Sequence, residues 1–317
     1  MATTIAPRPV SPFDAAAEAF AHTRRQLFPI RIDRWLALGL LAFLDQCGRA
    51  FRGGGGHSGW RHPAPMQDGD FSLKADRVLA WLQRAAEWLA AHAPVVTIAA
   101  LVGLLVLAAL TAVVLWLNAR GVFMYADDVA TGRSDVRRPW SQHATAASSY
   151  FGWSLGIALA GVFLMLFAAG LVVVGTLAFA SGRVQGSGAW LAAAGMAPVL
   201  GLLVLGLLIL ALAALALRDF VAPLQLATGL PCGAAARVLE ALVLAHPGAF
   251  VLYLVLKLVV VVASGIVIVI GGCLTCCLGF LPIVMQVVFQ PLFYFERALS
   301  LFLLRQMGHD VAARLTA

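Results

Sequence analysis

The run Val251–Ile270, VLYLVLKLVVVVASGIVIVI, is apolar along its whole length except for Lys257. About 20 residues at 1.5 Å each cross the roughly 30 Å of hydrocarbon in a bilayer, so the run reads as a membrane span. A lysine in its interior costs ~2.5–3.5 kcal/mol on insertion scales and needs a partner or an exit to water. Either way, the chain is read as an all-α polytopic bundle.

Composition agrees. Of 317 residues, 62% are hydrophobic and only 12% charged, with a mean hydropathy of +0.91; a soluble domain carries about 25% charged residues. The start, MATTIAPRPVSPFDAAAEAF, lacks the basic-then-apolar order of a cleaved signal, so the internal spans are expected to direct insertion. The net charge of +7 then bears on topology. No basic run interleaved with aromatics offers a stacking surface, and no nucleic-acid partner is expected.

The span that holds Lys257 runs from Ala249 to Ile270, and four more segments are long and apolar enough to span: Pro94–Leu117, Tyr150–Ala180, Trp190–Leu217 and Leu281–Leu304. A sixth candidate, RWLALGLLAFLDQC from Arg34 to Cys47, is short and carries Asp45. If it crosses, Lys and Arg divide roughly two to one in favour of one side, as cytoplasmic loops require. The expectation is therefore about six spans with both termini cytoplasmic. Residues 1–34 form a cytoplasmic amphipathic segment, and residues 35–317 the transmembrane domain, with a glycine-rich outer loop at 48–93.

Internal similarity suggests how the spans are grouped. FMYADDVATG (Phe123–Gly132) and FVAPLQLATG (Phe220–Gly229) share Phe and Ala-Thr-Gly at one offset, and RALSLFLLRQMG (Arg297–Gly308) is a weaker third copy. Amphipathic segments precede three of the spans. In the first, Ser11 is a candidate N-cap, Pro12 sits in the first turn, and Phe13, Ala17 and Phe20 share a face opposite Arg24 and Arg25. The others are SDVRRPWSQHATAASSYF and PCGAAARVLEALVLAHPG. The unit predicted is an interfacial helix plus a two-span hairpin, present three times.

ARGVFMYADDVATGRSDVRRPW, PFDAAAEAFAHTRRQLF with its glycine-rich loop, and HPGAFVLYLVLKLVVVVASGIVIVIGGCLTCCLGFLPIV resemble an uncharacterised bacterial family of polytopic membrane proteins, a domain of unknown function. More distantly, the layout is similar to the membrane region of glycerophosphoryl diester phosphodiesterases. The resemblance covers nearly the whole chain and implies a bacterial plasma (inner) membrane location without implying an activity. The catalytic barrel of those phosphodiesterases has no counterpart of sufficient length and polarity here.

Candidate site residues follow from depth. Lys257 lies about 14 residues before the turn GGCLTCCLGF and Glu296 about 15 after it, so both sit ~21–22 Å from the outer end of a hairpin. An ion pair, snorkelling of Lys257 toward the inner headgroups, and a transport role are the three readings. Gln286, Gln290, Tyr294 and Arg297 recur at helical spacing and form either a hydrated path or interhelical hydrogen bonds, with Pro291 freeing a carbonyl nearby. Asp127 and Asp128, near Arg120, Arg137 and Arg138, read as an acid–base pair or as charge balance at a helix entrance. Gly152 and Gly156 form a GxxxG packing signal.

Cys273, Cys276 and Cys277 in CLTCC lack companions for a four-ligand zinc site and read as small packing residues, with an outer-face disulfide or metal as the alternative; His57 and His62 read as part of a flexible glycine-rich linker, with metal binding as the alternative. No metal, cofactor or catalytic residue is expected. The residues point to a non-enzymatic membrane module that packs with lipids, a membrane partner or a second copy. The alternative is a small-solute or ion transporter or channel built on Lys257 and Glu296.

Overall fold

The structure, a computed structural model, describes residues 10–47, 80, 84, 87, 88, 91–180, 187–275, 281 and 283–316, with backbone alone at 176–180 and 187–194. The chain divides into one unit formed by residues 1–53 and 114–317 and a second formed by residues 54–113. Every element among the described residues is helical.

Four helices are long and apolar enough to cross a membrane. They are α3 (Ala93–Thr131), α5 (Ala144–Ala180), the continuous helix made of α6 (Ser187–Ala216), a π-helical turn (Leu217–Val221) and α7 (Ala222–Thr228), and α9 (Pro247–Leu274). Uniform hydrophobicity around α5 and α6, rather than one apolar stripe, is the mark of helices meant for lipid. Leu104, Leu105, Phe163, Leu166, Leu202, Val204, Leu258 and Val259 are all more than half exposed, surface that hydrocarbon covers at no cost.

In the larger unit the core sits where these helices end. Buried side chains concentrate at 118–129 of α3, 217–226 of the π-helical turn and α7, and 293–304 of α11 (Gln290–Gln306). Gly132, Gly229 and Gly308 close the three stretches, each with a positive φ, of 71°, 74° and 89°. Left-handed backbone of this kind suits glycine, which has no Cβ to clash, and it stops a helix.

The remaining helices pack around that core. α1 (Pro12–Leu27) begins as expected, with the Ser11 hydroxyl accepting from the Asp14 N–H at 3.3 Å and proline in the first turn. Its face toward the protein is the one without the phenylalanines. Ala15, Ala19, Thr23 and Leu27 lie against α11, whereas Phe13 and Phe20 are 61% and 65% exposed. Small side chains let the two helix axes approach closely, which the phenylalanines would prevent.

α2 (Ile32–Gln46) is 15 residues long and lies against α10 (Val284–Val288) and α11. Its approach is close enough that a Cβ on Gly39 would collide with Val287, and one on Gly121 of α3 would sit 2.5 Å from the backbone of Leu44.

The segment expected as one span, Leu281–Leu304, is split. α10 ends at Val288, Phe289 leaves helical geometry (φ −97°, ψ 22°), and α11 starts at Gln290. Pro291 therefore sits in the first turn of α11, where its missing N–H costs nothing, and it does not free a mid-helix carbonyl. Gly271 of α9 leaves room for the Phe289 ring, which would lie 2.6 Å from an added Cβ.

The amphipathic segment expected before the third span is largely absorbed into it: only α4 (Arg137–Gln142) is separate, and α5 begins at Ala144. α8 (Cys232–Ala245) and α12 (Val311–Thr316) complete the fold, α12 lying against α7. A Cβ on Gly152 or Gly156 would meet nothing within 4 Å, so the GxxxG forms no helix contact among the described residues. The glycine-rich loop with His57 and His62, and Cys276 and Cys277, lie outside the described residues.

Candidate functional site: a buried network of charges

Four elements of the larger unit bring six formal charges together. α2 supplies Asp45, the π-helical turn Arg218 and Asp219, α9 Lys257, and α11 Glu296 and Arg297. All six are buried. Three carboxylates face three cations, so the cluster has no net formal charge.

Lys257 is held by two carboxylates, with Nζ 2.8 Å from Asp219 Oδ2 and 2.9 Å from Glu296 Oε1. Arg218 extends the network in the other direction. Its Nε lies 3.2 Å from both Asp45 oxygens, its Nη2 also donates to Asp45 Oδ2, and its Nη1 reaches Asp219 Oδ1 at 3.3 Å and Glu296 Oε1 at 3.1 Å. Tyr253, one turn before Lys257 on α9, donates its hydroxyl to Asp219 Oδ2 at 2.9 Å.

Local backbone chemistry explains why two adjacent residues, Arg218 and Asp219, both reach this centre. Pro223 has no N–H, and its ring clashes with the carbonyl four residues earlier in an α-helix. Here the chain widens into a π-helical turn, with Ala222 N–H bonded to Leu217 O. Such bulges recur where a helix must re-aim side chains. The Arg218 carbonyl, whose i+5 donor would be the missing Pro223 N–H, instead accepts from Arg297 Nη1 at 2.7 Å. Arg297 Nη2 donates to Val122 O on α3 at 2.9 Å, and its nearest network carboxylate oxygen, Asp219 Oδ1, is 3.9 Å away.

The glutamine and tyrosine positions are engaged between helices. Gln290 Nε2 donates to the Tyr125 hydroxyl at 3.1 Å, and Tyr294 donates to Val129 O at 3.2 Å. Gln286 Oε1 accepts from the Ile283 N–H at 3.0 Å. Asn118 Nδ2 donates to Leu44 O at 3.0 Å and Asp45 O at 2.6 Å, which satisfies the last carbonyls of α2 and fixes the backbone that carries Asp45.

A second polar centre lies at the C-terminal end of α3. Asp127 accepts from Arg138 Nη2 at 3.0 and 3.2 Å and lies 2.7 Å from His143 Nε2. Asp128 Oδ2 accepts from the Asp135 N–H at 3.0 Å. Arg120 donates to Trp140 O at 2.8 Å and lies between the Trp116 and Trp140 rings, whereas Arg137 is exposed. Of the three arginines named from the sequence, only Arg138 engages the aspartates, and these sit at a helix exit, not an entrance.

Sequence spacing brought Lys257 and Glu296 to one depth but missed Asp45, Arg218 and Asp219. Arg218 reads as a loop residue because the apolar run ends at Leu217. A usable signal existed in neutrality: one lysine and one glutamate leave Arg297 without a counter-charge inside the bilayer, and Asp45, in the short candidate span Arg34–Cys47, is the carboxylate that could supply it.

No curated protein and no solved structure matches the chain. The expected link to glycerophosphoryl diester phosphodiesterases is accordingly without support. A family match covers residues 10–311, and on it the chain belongs to a family of unknown function, DUF7544.

Proposed function

We propose that the chain is a non-enzymatic module of the bacterial plasma membrane that crosses it six times, keeps both termini in the cytoplasm, and engages lipid and a membrane partner or second copy. The neutral charge network carries this reading. Each of its six groups lies within 3.9 Å of an opposite charge on this same chain, as suits a clamp holding four elements together. The outward Phe13 and Phe20 of α1, the second beside Arg24 and Arg25, suit an interfacial helix on an anionic leaflet. The three glycine-capped helix ends favour a threefold repeat, in which α2 and the α10–α11 pair complete the six crossings.

One observation favours transport instead: Lys257 bridges two carboxylates, an arrangement that proton-coupled carriers can exploit. The experiment separates the two. A clamp predicts that Lys257→Met lowers stability by about 3–5 kcal/mol, because Asp219 and Glu296 lose their shared cation, and that adding Glu296→Leu restores much of it by leaving two acids facing two arginines. A carrier predicts ion or solute flux in proteoliposomes that stops in Lys257→Met and stays stopped in the double variant. Such flux would overturn the module reading.

A further inference from the structure

Beside the C-terminal end of α7 lies a cavity of about 460 Å³, within the range of small-ligand sites. Gln142, His143, Thr145, Ser149, Gln225 and Arg314 supply its polar side chains, and among the described residues no carboxylate lines it. Thr145 and Ala146 belong to the first turn of α5, a helix of 37 residues, so the positive end of a long helix borders the space. Arg314 adds a full positive charge from α12, held in place by its own bond to Ala227 O at 3.1 Å. Together these favour an anion.

Gln225 adds an independent requirement. It is 2% exposed, its Nε2 donates to Leu230 O at 3.5 Å, and its Oε1 has no hydrogen-bond partner among the described residues. Swapping the amide would set oxygen against the Leu230 carbonyl, so the unmatched atom is the acceptor. An acceptor buried in this way costs about 1–3 kcal/mol until a donor reaches it. A bare phosphate supplies an anion but few donors. A phosphate ester carrying a free hydroxyl supplies both.

We infer that this cavity is a binding site for a phosphate ester carrying a free hydroxyl, of which a glycerol phosphate group is the test case, its phosphate lying between Arg314 and the start of α5 and its hydroxyl donating to Gln225 Oε1. Two sources carry that group: the headgroup of phosphatidylglycerol and free glycerol phosphate. Leu226, Leu230 and Leu315 on the same wall provide the apolar contact that a lipid backbone would use. The site deepens the membrane-module reading by naming a ligand, and it uses none of the six charges of the network.

The test uses the full-length protein in neutral detergent, titrated with phosphatidylglycerol, phosphatidylcholine, glycerol 3-phosphate and inorganic phosphate, and read by thermal shift and by native mass spectrometry. Phosphatidylglycerol is expected to bind about tenfold or more tighter than phosphatidylcholine. Arg314→Gln and Gln225→Leu should each weaken it about tenfold, the scale of one hydrogen bond to a charged or buried group, while the exposed Arg237→Gln leaves it unchanged. Gln225→Leu should also raise the melting temperature of the unliganded protein, since it removes the unmatched acceptor; a purely structural glutamine would do the opposite. If Gln225→Leu does not fold, the Arg314→Gln and Arg237→Gln comparison still decides.

Tight glycerol 3-phosphate binding would assign the site to the soluble ester, and tight phosphatidylglycerol binding alone to the lipid. Equal loss in Arg237→Gln and Arg314→Gln, or inorganic phosphate binding as well as either ester, would overturn the proposal. So would the absence of Arg314-dependent binding by either glycerol phosphate probe. Those failures leave the charge clamp untouched, whereas Lys257-dependent flux would sink the module reading whatever binds here.

Discussion

His22 illustrates how a single side chain couples the periphery to the core. Its Nε2 lies 2.8 Å from Val129 O and its ring stacks near Tyr294 and Phe302. Burial lowers its pKa below the usual histidine value; the Val129 carbonyl pulls it back up, and Arg25, Arg305 and Arg34 push it down further. A base whose folded pKa is depressed binds fewer protons than it does unfolded, so its contribution is complete above the unfolded value of about 6.5 and declines as pH falls below it. Protection of α1 amides against hydrogen exchange, measured relative to the intrinsic exchange rate at each pH, should fall between pH 7.5 and pH 5, and His22→Gln should flatten that dependence.

Asn118 is a second residue whose role can be measured. Asn118→Leu deletes both bonds to the end of α2; the Leu44 carbonyl keeps the Cys47 thiol as a donor, whereas the buried Asp45 carbonyl loses its amide partner, an expected loss of about 2 kcal/mol in denaturant or thermal unfolding. Cysteine chemistry is graded in the same way. Burial pushes the Cys232 thiol up to about 11, and its own N–H is taken by Ser149 Oγ at 3.1 Å, whereas Cys273 is exposed. Maleimide should modify Cys273 in the native protein and leave Cys232 untouched until unfolding.

At the scale of elements, the π-helical turn offers the sharpest test. In an ordinary helix, replacing proline by alanine is worth up to about 3 kcal/mol of stabilisation. Pro223→Ala is expected to do the reverse. The restored N–H favours α geometry, which turns Arg218 or Asp219 away from the network and leaves Arg297 without the carbonyl it holds. A lower melting temperature would agree with that account; a rise would mean that the bulge has no part in aiming these charges.

Elements also mark how far sequence reading reached. The long spans were legible because hydrocarbon imposes a length and a composition that few other constraints mimic: α3, α5, α6 and α9 overlap the runs read as Pro94–Leu117, Tyr150–Ala180, Trp190–Leu217 and Ala249–Ile270. The break at Phe289 was not, because Leu281–Leu304 has the composition of a span and its interruption depends on α2 and Gly271. The face by which α1 packs on the protein was not read at all. Periodicity finds the large apolar residues, but in α1 these point outward and small residues mark the contact. The partners of Lys257 were half legible: Glu296 from its depth, Asp219 only once the proline-driven bulge is known.

For the whole molecule, the network ties α2, the π-helical turn, α9 and α11 into one unit, so damage to it should not stay local. Lys257→Met is expected to lower one cooperative transition and not to detach a single helix, which residue-resolved exchange can check. Topology can be tested independently. With Cys273 as the only cysteine, a membrane-impermeant maleimide added to intact cells should label it if the hairpin end of α9 faces outward; labelling only after the inner face is opened would reverse the proposed orientation.

The tie between Asp45 and Arg218 spans 173 positions of chain. A ribosome feeding this protein into the bilayer therefore delivers an aspartate long before the arginine that neutralises it, and Lys257 and Glu296 arrive later still. Until then α2, short and carrying an uncompensated carboxylate, has little reason to settle in lipid. Insertion of the nascent chain and assembly of the bundle are thus separated in time, with the early helix waiting at the membrane surface or at the insertion machinery for its counter-ion to be made.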